Sequence, residues 1–307
     1  MPRLRSASLA PDGRAMAAGG GVRPSGARRR VRASPEQWLT LLPIAFLALF
    51  FLYPFGDMVW ASVSRDGLFA AYAEALDDPF FVRAVVRTLV VSLVCTVACL
   101  VLGYAIAYEL TRRRTPIRTV ILGVVLLTFW ISILIRAYSW LAILQPGGVL
   151  SDVAGLVGIS AESWRLQGTT TAVAIGMVHF LLPYMVLVLI PPLRAVDPAL
   201  LRAAHSLGAS RLRTFWRVTL PLTKGGIVAG CILTFILSIG FYVMPSILGG
   251  PANPFVANVI GEQVGTFQAF PVAGAMSVLL TVVVLCLYAT LVRVSDPTKI
   301  LGDSGKA

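Results

Sequence analysis

The sequence predicts an all-α polytopic membrane protein with six transmembrane helices, and three observations carry that prediction. The 307 residues are 57% hydrophobic and 13% charged, with a mean hydropathy of +0.82, whereas soluble domains carry about 25% charged residues. Six apolar segments are long enough to cross a bilayer core of about 30 Å, which requires about 20 helical residues. The basic residues lie mainly in an N-terminal tail and in short loops.

The six apolar segments divide the chain into spans and connecting loops. The predicted spans are residues 39–62, 84–110, 117–143, 170–193, 225–247 and 271–292. They form a transmembrane domain, 36–295, between a disordered basic tail, 1–35, and a second tail, 296–307. Met16 is an alternative start to Met1.

The distribution of charge predicts the orientation of these spans. Basic side chains are concentrated in the N-terminal tail, in the loop after the second span (Arg112, Arg113, Arg114 and Arg118) and in residues 197–221. The loops 144–169 and 248–270 are nearly uncharged. By the positive-inside rule both termini are cytoplasmic.

Several functional classes fit the sequence poorly. The net charge of +12 does not indicate nucleic-acid binding, because the basic residues are not clustered on a soluble module. The four cysteines all fall in apolar runs without a C-x-x-C pair, so no metal site or disulfide framework is indicated. With His179 and His205 as the only histidines, the chain has no H-E-x-x-H motif for a metal-dependent membrane enzyme.

The polar segment 197–221, between the fourth and fifth spans, is predicted to form two short helices. Asp197 can accept the first free backbone N–H groups of a helix, and Pro198 suits its first position. Gly208 breaks this helix, a second begins at Ser210, and Pro221 stops it. One face of the second helix carries Leu212, Phe215, Trp216 and Thr219, and another carries Arg213 and Arg217. Such a basic, partly apolar segment suits contact with a soluble partner at the membrane surface.

The spacing of this segment resembles the EAA loop of ABC-importer permeases, E-A-A-x3-G-x9-I-x-L-P. Ala203, Ala204 and Gly208 match, as do Leu220 and Pro221. The sequence departs from the pattern at two positions: Arg202 replaces the glutamate and Val218 replaces the isoleucine. The resemblance implies a loop that docks on a cytoplasmic ATPase through Asp197, Arg202, Ala203, Ala204, Gly208, Leu212, Phe215, Trp216, Leu220 and Pro221.

Residues 36–295 also resemble permeases of the spermidine/putrescine type. The stretches that carry this resemblance are Arg87-Thr88-Leu89, Gly103-Tyr104-Ala105-Ile106-Ala107-Tyr108, Arg136-Ala137-Tyr138-Ser139-Trp140 and Leu248-Gly249-Gly250-Pro251. The resemblance implies the type I ABC importer (MetI-like) permease fold and a bacterial inner-membrane location. It further implies a complex with a second permease, ABC ATPase subunits and an extracytoplasmic solute-binding protein. No G-x-x-x-x-G-K-[ST] loop occurs in the sequence, so ATP is expected to bind the ATPase, and this chain needs no cofactor.

Residues inside the spans indicate a translocation pathway, because ionisable groups are costly there. The candidates are Trp130, Arg136, His179 and Phe235. At about 1.5 Å per residue, Asp57, Arg87 and Arg136 fall at one outer level, either as a gate or as a structural pair between Asp57 and an arginine. His179 lies near the midplane, either as a ligand or as an interhelical hydrogen-bonding group.

The solute and the class of transporter leave alternatives open. The resemblance implies a polyamine, yet the spans place no carboxylate near the midplane to bind a cation, so a neutral or anionic solute is the alternative. A second permease chain could supply the missing carboxylates. An ion-coupled secondary carrier or channel is the alternative function, disfavoured by the resemblance to the coupling loop.

Overall fold

The computed structural model describes residues 35–63, 70–112, 116–156 and 166–294. The predicted basic tail up to residue 34, Arg113, Arg114 and the C-terminal tail lie outside the described residues. The chain divides into two compact units, residues 1–52 and 53–307. In the first unit, the described part is the N-terminal portion of helix α1.

The described residues form helices joined by short connections, with no strand among them. In chain order the helices are α1 (Pro35–Val63), α2 (Ala70–Asp77), α3 (Pro79–Arg112), α4 (Pro116–Leu127), α5 (Ile133–Leu144), α6 (Val149–Gly155), α7 (Thr170–Arg194), α8 (Pro198–Ser206), α9 (Arg211–Thr214), α10 (Leu220–Leu222), α11 (Lys224–Ile239), α12 (Val243–Leu248), α13 (Val256–Gly265) and α14 (Phe270–Val294). A π-helical turn, Phe215–Thr219, joins α9 to α10.

Five described helical segments are long and apolar enough to cross a membrane. They are Leu41–Val63, Pro79–Arg112, Ile133–Gly155, Thr170–Arg194 and Phe270–Thr290. A sixth results if Arg211–Leu222 and Lys224–Ile239, which are bent by 67° relative to each other, count as one broken span. These assignments rest on length and composition.

Helix α7 forms the centre of the larger unit, where it packs along α3 and α11. Met185 is fully buried between glycines of both neighbours. A Cβ atom on Gly103 would meet Met185 Cγ at 2.8 Å, and one on Gly230 would meet its Sδ at 2.6 Å. One turn earlier, a Cβ on Gly226 would collide with Pro192. Gly226 and Gly230, four residues apart on α11, therefore permit the close approach of α7.

The third predicted span is not one helix: α4 ends at Leu127 and α5 starts at Ile133. Two carbonyl groups in this break, those of Thr128 and Ile131, accept hydrogen bonds from the guanidinium of Arg136. In a continuous helix these carbonyl groups would accept hydrogen bonds from backbone N–H groups. The guanidinium of Arg136 donates to them instead, so the interruption is tolerated within an apolar segment.

The fifth predicted span is also interrupted, because α11 ends at Ile239 and α12 begins at Val243. Pro245 explains the position of the break. Its ring has no N–H, and it would clash with the carbonyl of Phe241 in a continuous helix.

Candidate functional site

The segment 197–222, named here the coupling segment, begins with α8. Asp197 caps this helix, since its Oδ1 accepts a hydrogen bond from the N–H of Ala199 at 2.7 Å, and Pro198 occupies the first turn. The helix ends before Gly208, whose φ of +78° lies in the left-handed region and suits glycine. The structure therefore contains the helix start and the break that the sequence predicts.

The second helical part of the coupling segment starts at Ser210, whose Oγ accepts the N–H of Arg213 at 3.3 Å. Pro221 was predicted to end it, and the helix ends one residue later, at Leu222. Pro221 follows the π-helical turn Phe215–Thr219 directly and is the last helical residue but one. The chain turns at Thr223 instead, where the axis bends by 67° into α11.

The predicted apolar face of this second helix is divided in the structure. Thr219 is buried and Phe215 half-buried, whereas Leu212 and Trp216 are 68% and 59% exposed. The structure thus buries only part of the face that the sequence predicts. The physical reason is that aromatic side chains of α3 cover only one edge of it, the edge that carries Phe215.

The coupling segment packs against the C-terminal part of α3 through a cluster of aromatic side chains. The ring of Phe215 meets Tyr104 and Tyr108 edge-on, with centroids 5.7 and 5.4 Å away. Beside it, the hydroxyls of Tyr104 and Thr223 are buried and hydrogen-bonded at 2.9 Å. Arg112 stacks on the other tyrosine, with Cζ 4.8 Å from the ring centre. This attachment was missed by the sequence analysis, although two tyrosines four residues apart on a helix lie on one face.

The exposed surface of the coupling segment combines apolar and basic groups. The exposed large apolar and arginine side chains are Leu200, Arg202, Leu207, Arg211, Leu212, Arg213, Trp216, Arg217 and Leu222. Apart from Asp197, residues 197–222 contain no acidic side chain. An exposed apolar patch rimmed by polar groups is typical of a protein-binding surface.

Arg136, in the first turn of α5, lies beside the break in the third span and lines a cavity of about 290 Å³. The residue is only 5% exposed. In addition to the two carbonyls in the break, its guanidinium stacks on Phe180 of α7, with Cζ 4.8 Å from the ring centre. Asp57, the acid suggested as a structural partner of an arginine, is exposed on α1; carbonyl groups and an aromatic ring surround Arg136 instead.

The other predicted pathway residues lie in different surroundings. His179 Nδ1 accepts a hydrogen bond of 3.1 Å from Nε1 of Trp140, which matches the interhelical interpretation of this histidine. Trp130 is 88% exposed in the break. Phe235 lines a separate, apolar groove formed by α3, α11 and α14. Across the described parts of the chain, no group of three or more His, Cys, Asp and Glu side chains could hold a metal ion.

Comparison with known proteins places this architecture in a family. Residues 99–298 match the family described as "Binding-protein-dependent transport system inner membrane component". Over 160 residues the chain is 37% identical to the spermidine/putrescine transport system permease protein PotB of Escherichia coli K12, covering 52% of this chain and 58% of that protein. Over 180 residues it is 33% identical to the inner membrane ABC transporter permease protein YdcU of the same organism, covering 55% and 57%. The matches thus span somewhat more than half the length of these relatives.

The fold is also found in a solved structure. A chain in the crystal structure of a bacterial ABC transporter involved in the import of the acidic polysaccharide alginate aligns with a TM-score of 0.71. The alignment covers 84% of this chain and 94% of that chain at 23% sequence identity. The predicted all-α importer-permease fold is therefore confirmed.

Proposed function

Because the chain belongs to the family of binding-protein-dependent transport system inner membrane components, we propose that it is the permease subunit of an ATP-driven importer for a small solute. Its partners are ABC ATPase subunits, a second permease and an extracytoplasmic solute-binding protein. ATP is bound and hydrolysed in the ATPase chains. Both termini lie on the cytoplasmic side of the inner membrane, as the basic loops predict.

The observation that carries this proposal is the geometry of the coupling segment. It exposes apolar and basic side chains, while Phe215 packs against Tyr104 and Tyr108 of α3. A docking surface that is fixed to a membrane helix can transmit movement as well as bind. That combination suits an ATPase that moves as it hydrolyses ATP.

The attachment points define how the movement reaches the membrane. Phe215 links the coupling segment to α3, and so does the hydrogen bond between Thr223 and Tyr104 of α3. Thr223 also stands at the 67° bend that leads directly into α11. Displacement of the segment would therefore move the ends of α3 and α11 together. Both helices pack on α7, so rigid-body motion of this group would open or close the pathway between inward- and outward-facing states.

For the solute, we propose the polyamine class. The support is the identity to a relative named as a spermidine/putrescine permease. A neutral or an anionic solute is the alternative. Of these two, the buried Arg136 beside the cavity in the third span favours an anionic solute.

The test of the coupling segment is co-purification of the tagged chain with its candidate ATPase in detergent. Leu212→Asp places a charge on the exposed docking side and should abolish ATPase recovery. Leu156→Asp is the matched control, because Leu156 is also exposed, at 87% compared with 68%, but lies at the end of α6. Equal ATPase recovery with both variants, or none with the unmodified chain, would contradict the proposed function.

A further inference from the structure

We infer that the cavity at the break in the third span binds an oxyanion, either a carboxylate or a phosphate group. Three features meet there: a buried arginine, the uncapped N-terminus of α5, and a cavity of about 290 Å³. The inference rests on the proposed function only where the oxyanion is assigned to the transported solute.

The first feature is the charge of Arg136, which no acidic side chain of the cavity lining balances. It is 5% exposed, and none of the residues that line the cavity is acidic. Its hydrogen bonds to two carbonyl groups offset part of the cost of burial, but these groups carry no net charge. An ionisable group within a membrane segment commonly marks a ligand or ion pathway. A bound anion would supply the missing counter-charge.

The second feature is the incomplete hydrogen bonding of this guanidinium. Nη2 donates to the carbonyls of Thr128 and Ile131, while the buried Nε has no hydrogen-bond partner among the described residues. An arginine carries five N–H donors in a planar fork that matches carboxylate and phosphate groups. Both carbonyl bonds use Nη2, so they occupy only part of the fork of a residue that lines the cavity.

The third feature is the N-terminus of α5, a helix of 12 residues. Ser132 occupies the N-cap position, but its side chain makes no capping hydrogen bond. Both Ser132 and Ile133 line the cavity. A helix N-terminus with free N–H groups and a positive dipole end attracts anions, and here it lies one turn from a buried arginine.

The remaining lining fits a small polar group rather than a large ligand. Phe129, Phe180 and Tyr184 form an aromatic wall, with the first and last rings in edge contact at 4.9 Å. A volume of about 290 Å³ lies just below the range of about 300–1,000 Å³ for ligand pockets. It accommodates a carboxylate or phosphate group together with a short part of the molecule that carries it.

Two sources can supply this oxyanion, and they have different consequences. A carboxylate on the solute would make Arg136 a determinant of specificity, so the solute would be acidic or zwitterionic rather than a simple polyamine. A phospholipid phosphate would make the cavity a lipid site that stabilises the broken span.

The binding test uses the purified full-length chain in a neutral detergent. Its melting temperature is followed as sodium phosphate or sodium acetate is added, with sodium chloride at equal ionic strength as the reference. We expect phosphate or acetate to stabilise the chain beyond chloride. Arg136→Gln should abolish this gain, and Arg136→Lys, which keeps the charge without the fork, should weaken the apparent affinity about tenfold.

The matched control is Arg83→Gln. Arg83 also stacks on a phenylalanine, Phe80, at 4.9 Å and donates to a carbonyl, but it is exposed on α3. This variant should retain the response to anions. If neither anion stabilises the unmodified chain more than chloride, or if Arg136→Lys and Arg83→Gln respond identically, the inference is overturned.

A second measurement distinguishes the two sources. Native mass spectrometry of the chain extracted from phosphatidylglycerol-containing vesicles should show a retained lipid that Arg136→Lys loses if the source is a lipid. Uptake by the complete transporter should show a raised KM for a carboxylate-bearing solute in Arg136→Lys if the source is the solute. A negative result in both arms contradicts the inference, whereas ATPase co-purification should persist in the variant, so the proposed function is judged separately.

Discussion

Gly208 offers a sharp test of the coupling segment, because its substitution changes backbone strain without creating a clash. Its φ is +78°, and a Cβ atom built there has no neighbour within 4 Å. For a residue other than glycine, the left-handed conformation costs about 1–2 kcal/mol. Valine is near the upper end of this cost because its Cβ is branched. Asparagine tolerates this region far better.

The corresponding assay is the affinity of the purified ATPase for immobilised permease. A strain of about 1–2 kcal/mol corresponds to a factor of about 5–30, so Gly208→Val should weaken the affinity by that factor. Gly208→Asn should remain within about threefold, since an αL-tolerant residue avoids most of the strain.

Three outcomes of this assay are informative. If the chains with glycine and asparagine at position 208 bind the ATPase more tightly than the chain with valine, the conformation of the turn contributes to docking. Equal affinities for all three would show that the turn does not set the docking geometry. An equal loss in Asn and Val would show that the partner excludes any side chain there, which refutes the argument from strain.

Further predictions concern the attachment and packing of the helices. Phe215→Ala removes two edge contacts with α3, each worth about 0.5–1.5 kcal/mol, and should lower transport-coupled ATPase activity while ATPase binding persists. Tyr104→Phe removes the buried hydrogen bond to Thr223 and should destabilise the chain by about 1 kcal/mol, measured by thermal denaturation. Gly230→Leu should cost at least about 1–3 kcal/mol by overpacking α7 and reduce the yield of folded chain, whereas Gly225→Leu, which enters open space, should not.

The coupling segment was predictable because its signals are local. Asp197 and Pro198 specify a helix start through side-chain capping and a preset φ. Gly208 specifies a break through the positive φ that other residues adopt at a cost. The structure shows both features, and neither depends on which helices lie nearby.

The breaks in the third and fifth spans were not predicted, since hydropathy reports the length of an apolar segment and not its continuity. By composition, the segment around Thr128 and Ile131 is apolar enough to be part of a continuous membrane-spanning helix. What stabilises the interruption is Arg136, whose guanidinium reaches back to their carbonyls. In the fifth span, Pro245 was a visible signal that the apolar pattern obscured.

The sequence by itself determined that the chain is helical and membrane-spanning, because burial of backbone groups in lipid leaves few alternatives to a helix. It also determined the two-helix form of the coupling segment. Only the tertiary structure decided that Phe215 faces Tyr104 and Tyr108 and that Leu212 faces outward. These side chains lie on one helical arc, so the position of α3, and not the sequence spacing, decides which of them is covered.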